Sequence, residues 1–262
     1  MSIAATTRES NGDIGAHGVY VEEWGEGIPV VLVHGSLATG AEEWDSQRPL
    51  AEQGFRLSVF DRRGYGRSPF AVGEDYLVDA DDIIGLMGDG AHLVGHSYGG
   101  LGAMFAAARR PEATKSLTLL EAPAIVHADP DPEWQALVDE VTQLWGQDLT
   151  DEDFVVRFLK AVGSDPDQFP PEMLAIALPL VPVFRRGRPF HEVDLPLTDL
   201  AAARFPKLVV SGGHSAGFEG MCDALARHIG AERIVIEGAG HEIQFTGEPI
   251  NETLLALWRA VF

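Results

Sequence analysis

Gly95-His96-Ser97-Tyr98-Gly99 sets a serine between two glycines in the pattern G-x-S-x-G. Such a run carries chemistry when a strand feeds it and a helix leaves it, because the sharp turn lifts the hydroxyl clear of the backbone. Both flanks have that character. Ala91 to Val94 is an apolar strand, and beyond the turn Leu101, Met104, Phe105 and Ala108 recur at i, i+3, i+4 and i+7 of a helix. The positive end of that helix faces any anion formed at the serine. Ser97 is therefore the candidate nucleophile for acyl transfer. A dinucleotide site does not fit, since G-x-G-x-x-G is absent.

A serine nucleophile needs a base and oxyanion donors. His241 follows the strand-like Arg233 to Glu237 through the flexible Gly238-Ala239-Gly240, late in the chain, where the order Ser, acid, His expects it. An imidazole can take the Ser97 proton near neutral pH and return it to a leaving group. Most of the other histidines read as plainer: His17 in a tail, His92 beginning a strand, His127 and His191 in an insertion, His34 and His96 packing the crevice floor. No H-x-H or H-E-x-x-H spacing suggests a metal, and no cofactor is expected. For the oxyanion, the Tyr98 N–H directly follows the nucleophile. The loop His34-Gly35-Ser36-Leu37 leaves an earlier strand and offers Ser36 or Leu37 as the second donor, with Ser36 the choice.

The elements that must position these groups alternate. Val19 to Glu22, Val30 to Val33, Arg56 to Phe60, Ala91 to Val94 and Leu117 to Leu120 read as strands, with helical stretches around Trp44 and Leu50, Tyr76 to Met87 and after Ser97. Strands apolar on both faces between helices imply an α/β fold, a mostly parallel doubly wound sheet. From Pro123 to about Phe205 helical patterns take over, among them Trp134, Leu137, Val138, Val141 and Trp145, punctuated by Pro166, Pro170, Pro171, Pro179 and Pro182. This divides the chain into a core of residues 1–122 and 206–262 and a helical lid insertion of 123–205 over the strands' carboxyl ends. Lys207 to Ser211, Phe218 to Ile229, Arg233 to Glu237 and Ile250 to Val261 then complete the core as strand, helix, strand and helix.

Composition narrows the partners. A formal charge of -21 over 262 residues, with no basic stripe, argues against nucleic acid and anionic lipid. No apolar run approaches the roughly 18 residues of a membrane span. The polar Met1 to His17 lacks a signal's apolar centre and is expected to fray, so a cytoplasmic protein is expected. The single Cys222 agrees with a reducing compartment and reads as a buried packing residue.

Taken together, His34-Gly35, the turn Asp61-Arg62-Arg63-Gly64-Tyr65-Gly66-Arg67-Ser68, the nucleophile turn and Gly238-Ala239-Gly240-His241 resemble the α/β-hydrolase superfamily from about Val19 onward. The resemblance implies a third member, an acid. Most relatives carry it after the strand matching Lys207 to Ser211, but that loop reads Gly212-Gly213-His214-Ser215-Ala216-Gly217 and holds no carboxylate. Some relatives take the acid from the end of the preceding core strand, which here is Glu121 in Leu119-Leu120-Glu121-Ala122-Pro123. The acid must accept the Nδ1 proton of His241, so it must share the carboxyl edge with Ser97. Glu121 meets that demand; Glu219, Asp223, Asp194 and Asp199 are rivals. A nucleophilic serine rather than aspartate argues against dehalogenation and epoxide opening.

The expected activity is serine hydrolysis of a small carboxylic ester or lactone. Trp134, Phe154, Leu174 and Ile176 suggest a fairly hydrophobic substrate. Carbon-carbon bond hydrolysis or cofactor-free peroxidation would use the same residues, and a ligand-binding receptor on the same scaffold is the non-enzymatic alternative. Arg185, Arg186 and Arg188 read as a solvated loop rather than a carboxylate clamp.

Overall fold

A computed structural model describes residues 13–14, 18–164 and 171–261. The expectations for the tail including His17, and for Pro166 and Pro170, lie outside the described residues. The strands are β1 (Asp13–Ile14), β2 (Tyr20–Trp24), β3 (Ile28–Val33), β4 (Phe55–Phe60), β5 (Ala91–His96), β6 (Thr114–Leu120), β7 (Lys207–Ser211) and β8 (Glu232–Val235). They form an eight-stranded sheet in the order β1-β2-β4-β3-β5-β6-β7-β8. From β4 to β8 every neighbour pair is parallel, while β1 and β2 add antiparallel at one edge.

The helices are α1 (Gly40–Glu43), α2 (Tyr76–Met87), α3 (Ser97–Arg109), α4 (Pro132–Gln143), α5 (Asp151–Ala161), α6 (Pro171–Ala177), α7 (Val181–Arg185), α8 (Leu197–Ala202), α9 (Ala216–Ile229) and α10 (Glu248–Arg259). Alternation along the strands sends side chains to two cores. Val31, Val33, Leu93, Leu117 and Leu119 pack against α2, α3 and α9, whereas Val30, Leu32, Val94, Leu120 and Val210 meet Trp44, Leu50 and the α10 residues Leu254 and Trp258. No described helix is long and apolar enough to cross a membrane.

Where the structure departs from the sequence reading, local chemistry explains it. The stretch around Trp44 and Leu50 is one short α-turn followed by 3-10 helix over Asp45–Gln53 rather than one helix, because Pro49 interrupts its hydrogen bonding. Strand β5 runs on through Gly95 and His96, since its parallel ladder with β6 continues to the edge of the turn. Strand β8 stops at Val235, before Glu237.

Between β6 and β7 the described chain is helical, α4 to α8, and its α5–α7 part owns a third apolar cluster with Leu144, Phe154, Val155, Val181 and Phe184. The sheet order places β3 between β4 and β5, so the connections after β3 and β5 leave in opposite directions and open a crevice at their carboxyl ends. The loops carrying Ser36 and Ser97 meet at that crevice.

Candidate active site

Ser97 begins α3 directly after β5, with a positive φ of 47° that a non-glycine residue adopts only where its surroundings enforce it. Two glycines make that enforcement possible. A Cβ on Gly95 would stand 2.6 Å from Gly100 Cα, and one on Gly99 would run into the carbonyl of His34. The helix thus crosses close over β5 and the β3 loop because neither position has a side chain.

Glu121 ends β6 with φ 42°, fully buried, its own N–H donating to Val210 O at 3.0 Å. Its Oε1 accepts from the Gly212 N–H at 2.8 Å, and its Oε2 lies 2.7 Å from His241 Nδ1. His241 Nε2 lies 3.2 Å from Ser97 Oγ. A carboxylate only accepts, so Nδ1 carries the ring proton and Nε2 is left to accept from the serine hydroxyl. Burial works to raise the Glu121 pKa, but the pull of His214 and His241 overcomes it and holds the carboxyl at about 2.

The other candidate acids are engaged elsewhere. Glu219 accepts from the Gly213 N–H and pairs with Arg233, and Asp223 pairs with Arg233 as well. Asp194 and Asp199 are exposed.

Next to the serine, His96 joins the His241 loop to the β3 loop. Its Nε2 faces the His241 carbonyl at 3.0 Å and its Nδ1 faces Glu43 Oε1 at 3.1 Å, while both Glu43 oxygens accept from the Gly35 N–H at 3.0 Å. Burial opposes charge on His96, yet Glu43 raises its pKa. His34 behaves oppositely. Its Nδ1–H donates to Gly35 O and its Nε2 accepts from the Arg62 N–H, so burial and the Arg62 cation lower its pKa and keep it neutral.

The Ser36 hydroxyl donates to both oxygens of Glu74 at 2.9 Å, which fixes the loop that lies beside Ser97. Glu74 belongs to a buried cluster in which Arg62 pairs with Glu74 and Asp79, each at 2.9 Å, and Tyr65 donates to Glu74. Glu43 and Glu74 do not emerge from the sequence reading, since each reaches the site across tertiary distance. The arginine in the turn after β4 was the one available signal.

Two cavities flank Ser97. One of about 80 Å³ is lined by Ser36, Leu37, His96, His241, Phe158 and Leu174, and one of about 40 Å³ by Tyr98, Trp134, Leu137, Phe190 and Phe218. Of the apolar residues read as substrate-facing, Trp134 and Leu174 line these cavities, whereas Phe154 and Ile176 pack inside the third cluster. A cavity of about 290 Å³ beyond Tyr98 carries Arg185, Arg186 and Arg188. Arg185 pairs with Asp151 and Arg188 clasps Asp75 with two 2.8 Å bonds. Among the described residues no cluster of three or more His, Cys, Asp or Glu is arranged to hold a metal ion. Cys222 is buried, in keeping with a packing role.

A parallel sheet with a serine on a strained strand-to-helix turn, at its switch point, is the architecture of the α/β hydrolases. Residues 30–253 match the profile of the alpha/beta hydrolase family, and the chain belongs to that family. It is 33% identical to the pimeloyl-[acyl-carrier protein] methyl ester esterase of Aeromonas hydrophila subsp. hydrophila over 155 residues, which are 56% of this chain and 59% of that protein. It is also 33% identical to the non-heme chloroperoxidase CPO-A1 of Kitasatospora aureofaciens over 131 residues, 47% of each chain. The match thus spans only about half the length of these curated relatives. A thermophilic esterase from Thermogutta terrifontis shares the fold with a TM-score of 0.70 at 24% identity, covering 98% of this chain and 99% of that one.

Proposed function

We propose that the protein is a serine hydrolase of small, fairly hydrophobic carboxylic esters or lactones, working through Ser97, His241 and Glu121 without a cofactor. The observation that carries this reading is the unbroken hydrogen-bond chain from Ser97 Oγ to His241 Nε2 and from His241 Nδ1 to Glu121. In the first half-reaction His241 takes the Ser97 proton as Oγ attacks the carbonyl carbon. Glu121 steadies the imidazolium that forms. The N–H groups of Ser36 and Tyr98 hold the oxyanion, and the His241 proton then passes to the leaving alkoxide, which in a lactone stays attached to the acyl chain. Water, activated by the same histidine, releases the acid and restores Ser97.

The apolar linings around Ser97 support a substrate with a short hydrocarbon acyl part. In this reading residues 123–205 are a lid over a core of 1–122 and 206–262, and α4, α5 and α6 supply its substrate-facing side. The similarity to a methyl ester esterase supports ester chemistry. The similarity to a chloroperoxidase favours one further reading, cofactor-free peroxidation on the same triad.

A fluorophosphonate probe tests the nucleophile. The intact protein takes up one label and Ser97→Ala takes up none; equal labelling of the two moves the nucleophile to another residue, and none on either leaves a binding protein on a hydrolase scaffold. Turnover of short p-nitrophenyl esters, lactones and β-diketones then separates the chemistries, and cleavage of β-diketones alone overturns the esterase reading.

A further inference from the structure

The loop between β7 and α9, empty of carboxylates, holds a second histidine against the same acid. His214 is 12% exposed, its Nδ1 lies 3.4 Å from Glu121 Oε1, and its Nε2 lies 3.1 Å from the carbonyl of Val162 at the C-terminal end of α5. A carbonyl only accepts, so Nε2 carries a proton. Nδ1 is buried and has no ordinary hydrogen-bond partner; the carboxylate is what it faces. A neutral ring would aim a lone pair at that carboxylate, whereas a protonated ring donates in both directions.

We propose that His214 is a positioning residue that, as an imidazolium, ties the end of α5 to Glu121 and so couples closure of the lid to the acid of the triad. The inference rests on the Ser97–His241–Glu121 reading above. Glu121 can serve both rings because each uses a different oxygen, Oε2 for His241 and Oε1 for His214. The seat is shaped for the ring. Gly163 follows Val162 with φ 83°, and a Cβ there would collide with the imidazole of His214. Phe218 of α9 closes the other side, with ring centroids 5.2 Å apart.

The charges around the ring come from every element that packs on it. Glu121 faces it from the end of β6, His241 stands 6.4 Å away between ring centroids, and Glu242 follows His241 in the same loop and accepts from the lid residue Ser164. The α5 carbonyl adds the negative end of a helix. Glu219, on α9, turns instead to the Gly213 N–H and Arg233. Burial opposes the charge, but Glu121, Val162 and Glu242 together raise the His214 pKa. Phe158 and Val162 of this lid segment line the cavity at Ser97, so the tie acts on substrate retention.

Two measurements test the proposal. Histidine-selective 15N NMR of the full chain, with the His214 signal assigned by its loss in His214→Phe, is expected to show both ring nitrogens protonated at neutral pH and to titrate above an ordinary histidine. A neutral His214 there overturns the proposal, and this readout needs no turnover, so it stands or falls apart from the esterase reading. On a p-nitrophenyl ester, the KM of the intact enzyme is expected to rise by about tenfold as His214 loses its proton, the scale of a lost charge-assisted bond. His214→Phe, or His214→Gln if the first does not fold, is expected to show the raised KM at every pH with kcat little changed. A variant KM that matches the intact enzyme, or that keeps the same alkaline rise, overturns the proposal.

Discussion

His241 Nδ1 lies 2.7 Å from Glu121 Oε2, a contact between side chains 120 positions apart in the sequence. Glu121 leaves β6 through a positive φ and turns its carboxylate across the sheet edge, toward the loop where the Gly212 N–H steadies it. A glutamine there keeps the size but brings an amide whose orientation can leave His241 in the wrong tautomer. In Glu121→Gln, kcat is expected to fall by about 10⁴-fold with KM little changed, the scale seen when a triad acid becomes an amide. Steady-state rates on a short ester check this, and a loss smaller than tenfold would move the acid role to another residue.

Two buried groups lose stabilising contributions as pH falls, in overlapping windows. His92 is buried against Ser116, Phe55 and Trp258, and burial lowers its pKa from 6.5 to about 4. The unfolded chain therefore takes up this proton first, and the stability that neutral His92 contributes, complete above 6.5, is lost as pH falls toward 4. Glu121, held at about 2 against an ordinary 4.5, contributes stability that is present above 4.5 and lost as pH falls toward 2. Melting temperatures recorded across this range carry both losses, offset in the upper window by Asp79, whose pKa, raised by burial to about 6, makes its contribution grow as pH falls through that window. His92→Asn is expected to flatten the upper part alone; an unchanged curve in that variant counts against the assignment.

The Arg62 cluster should prove asymmetric to mutation. One fully buried guanidinium faces two carboxylates, and burial raises the Asp79 pKa to about 6 even with Arg62 beside it. Removing the cation leaves Glu74 and Asp79 buried without a counter-charge, so Arg62→Met is expected to cost about 3–5 kcal/mol, the range for breaking a buried pair. Asp79→Asn leaves Arg62 and Glu74 as a balanced pair and is expected to cost less. Urea unfolding of the two variants distinguishes them, and equal losses would contradict this account of the cluster.

The sequence exposed the parts of the protein that local chemistry writes directly. Apolar runs marked β3 to β7 because a parallel strand covered on both faces must be apolar throughout. The G-x-S-x-G turn and the glycine-flanked His241 mark positions where the backbone needs unusual freedom. Glu121 came into view only through resemblance, since a carboxylate ending a strand has no local signature of its partner. The antiparallel pairing of β2 with β4 was not legible, and neither were Glu43, Glu74 and His214. Their roles depend on which loops meet at the crevice. His214 is the sharpest case. A histidine in a loop without a carboxylate carries no local sign of the acid it faces from the neighbouring strand.

The assignment of Ser36 can be tested through its backbone rather than its hydroxyl. The hydroxyl points to Glu74, which makes it a fastening for the loop and leaves the N–H as the group proposed to meet the oxyanion. Ser36→Ala deletes the fastening but keeps the N–H, so kcat is expected to fall by less than about tenfold, the scale of one hydrogen bond. Ser36→Pro removes the donor itself. Loss of one oxyanion donor costs about 10²- to 10³-fold in kcat, and that loss is expected here once circular dichroism and melting temperature show the proline variant folded. Its KM should stay near that of the intact enzyme, because the ground-state carbonyl gains little from the donor that the tetrahedral oxyanion needs. Equal kcat values for the two variants would shift the second donor to the neighbouring Leu37, which holds a left-handed φ of 64°.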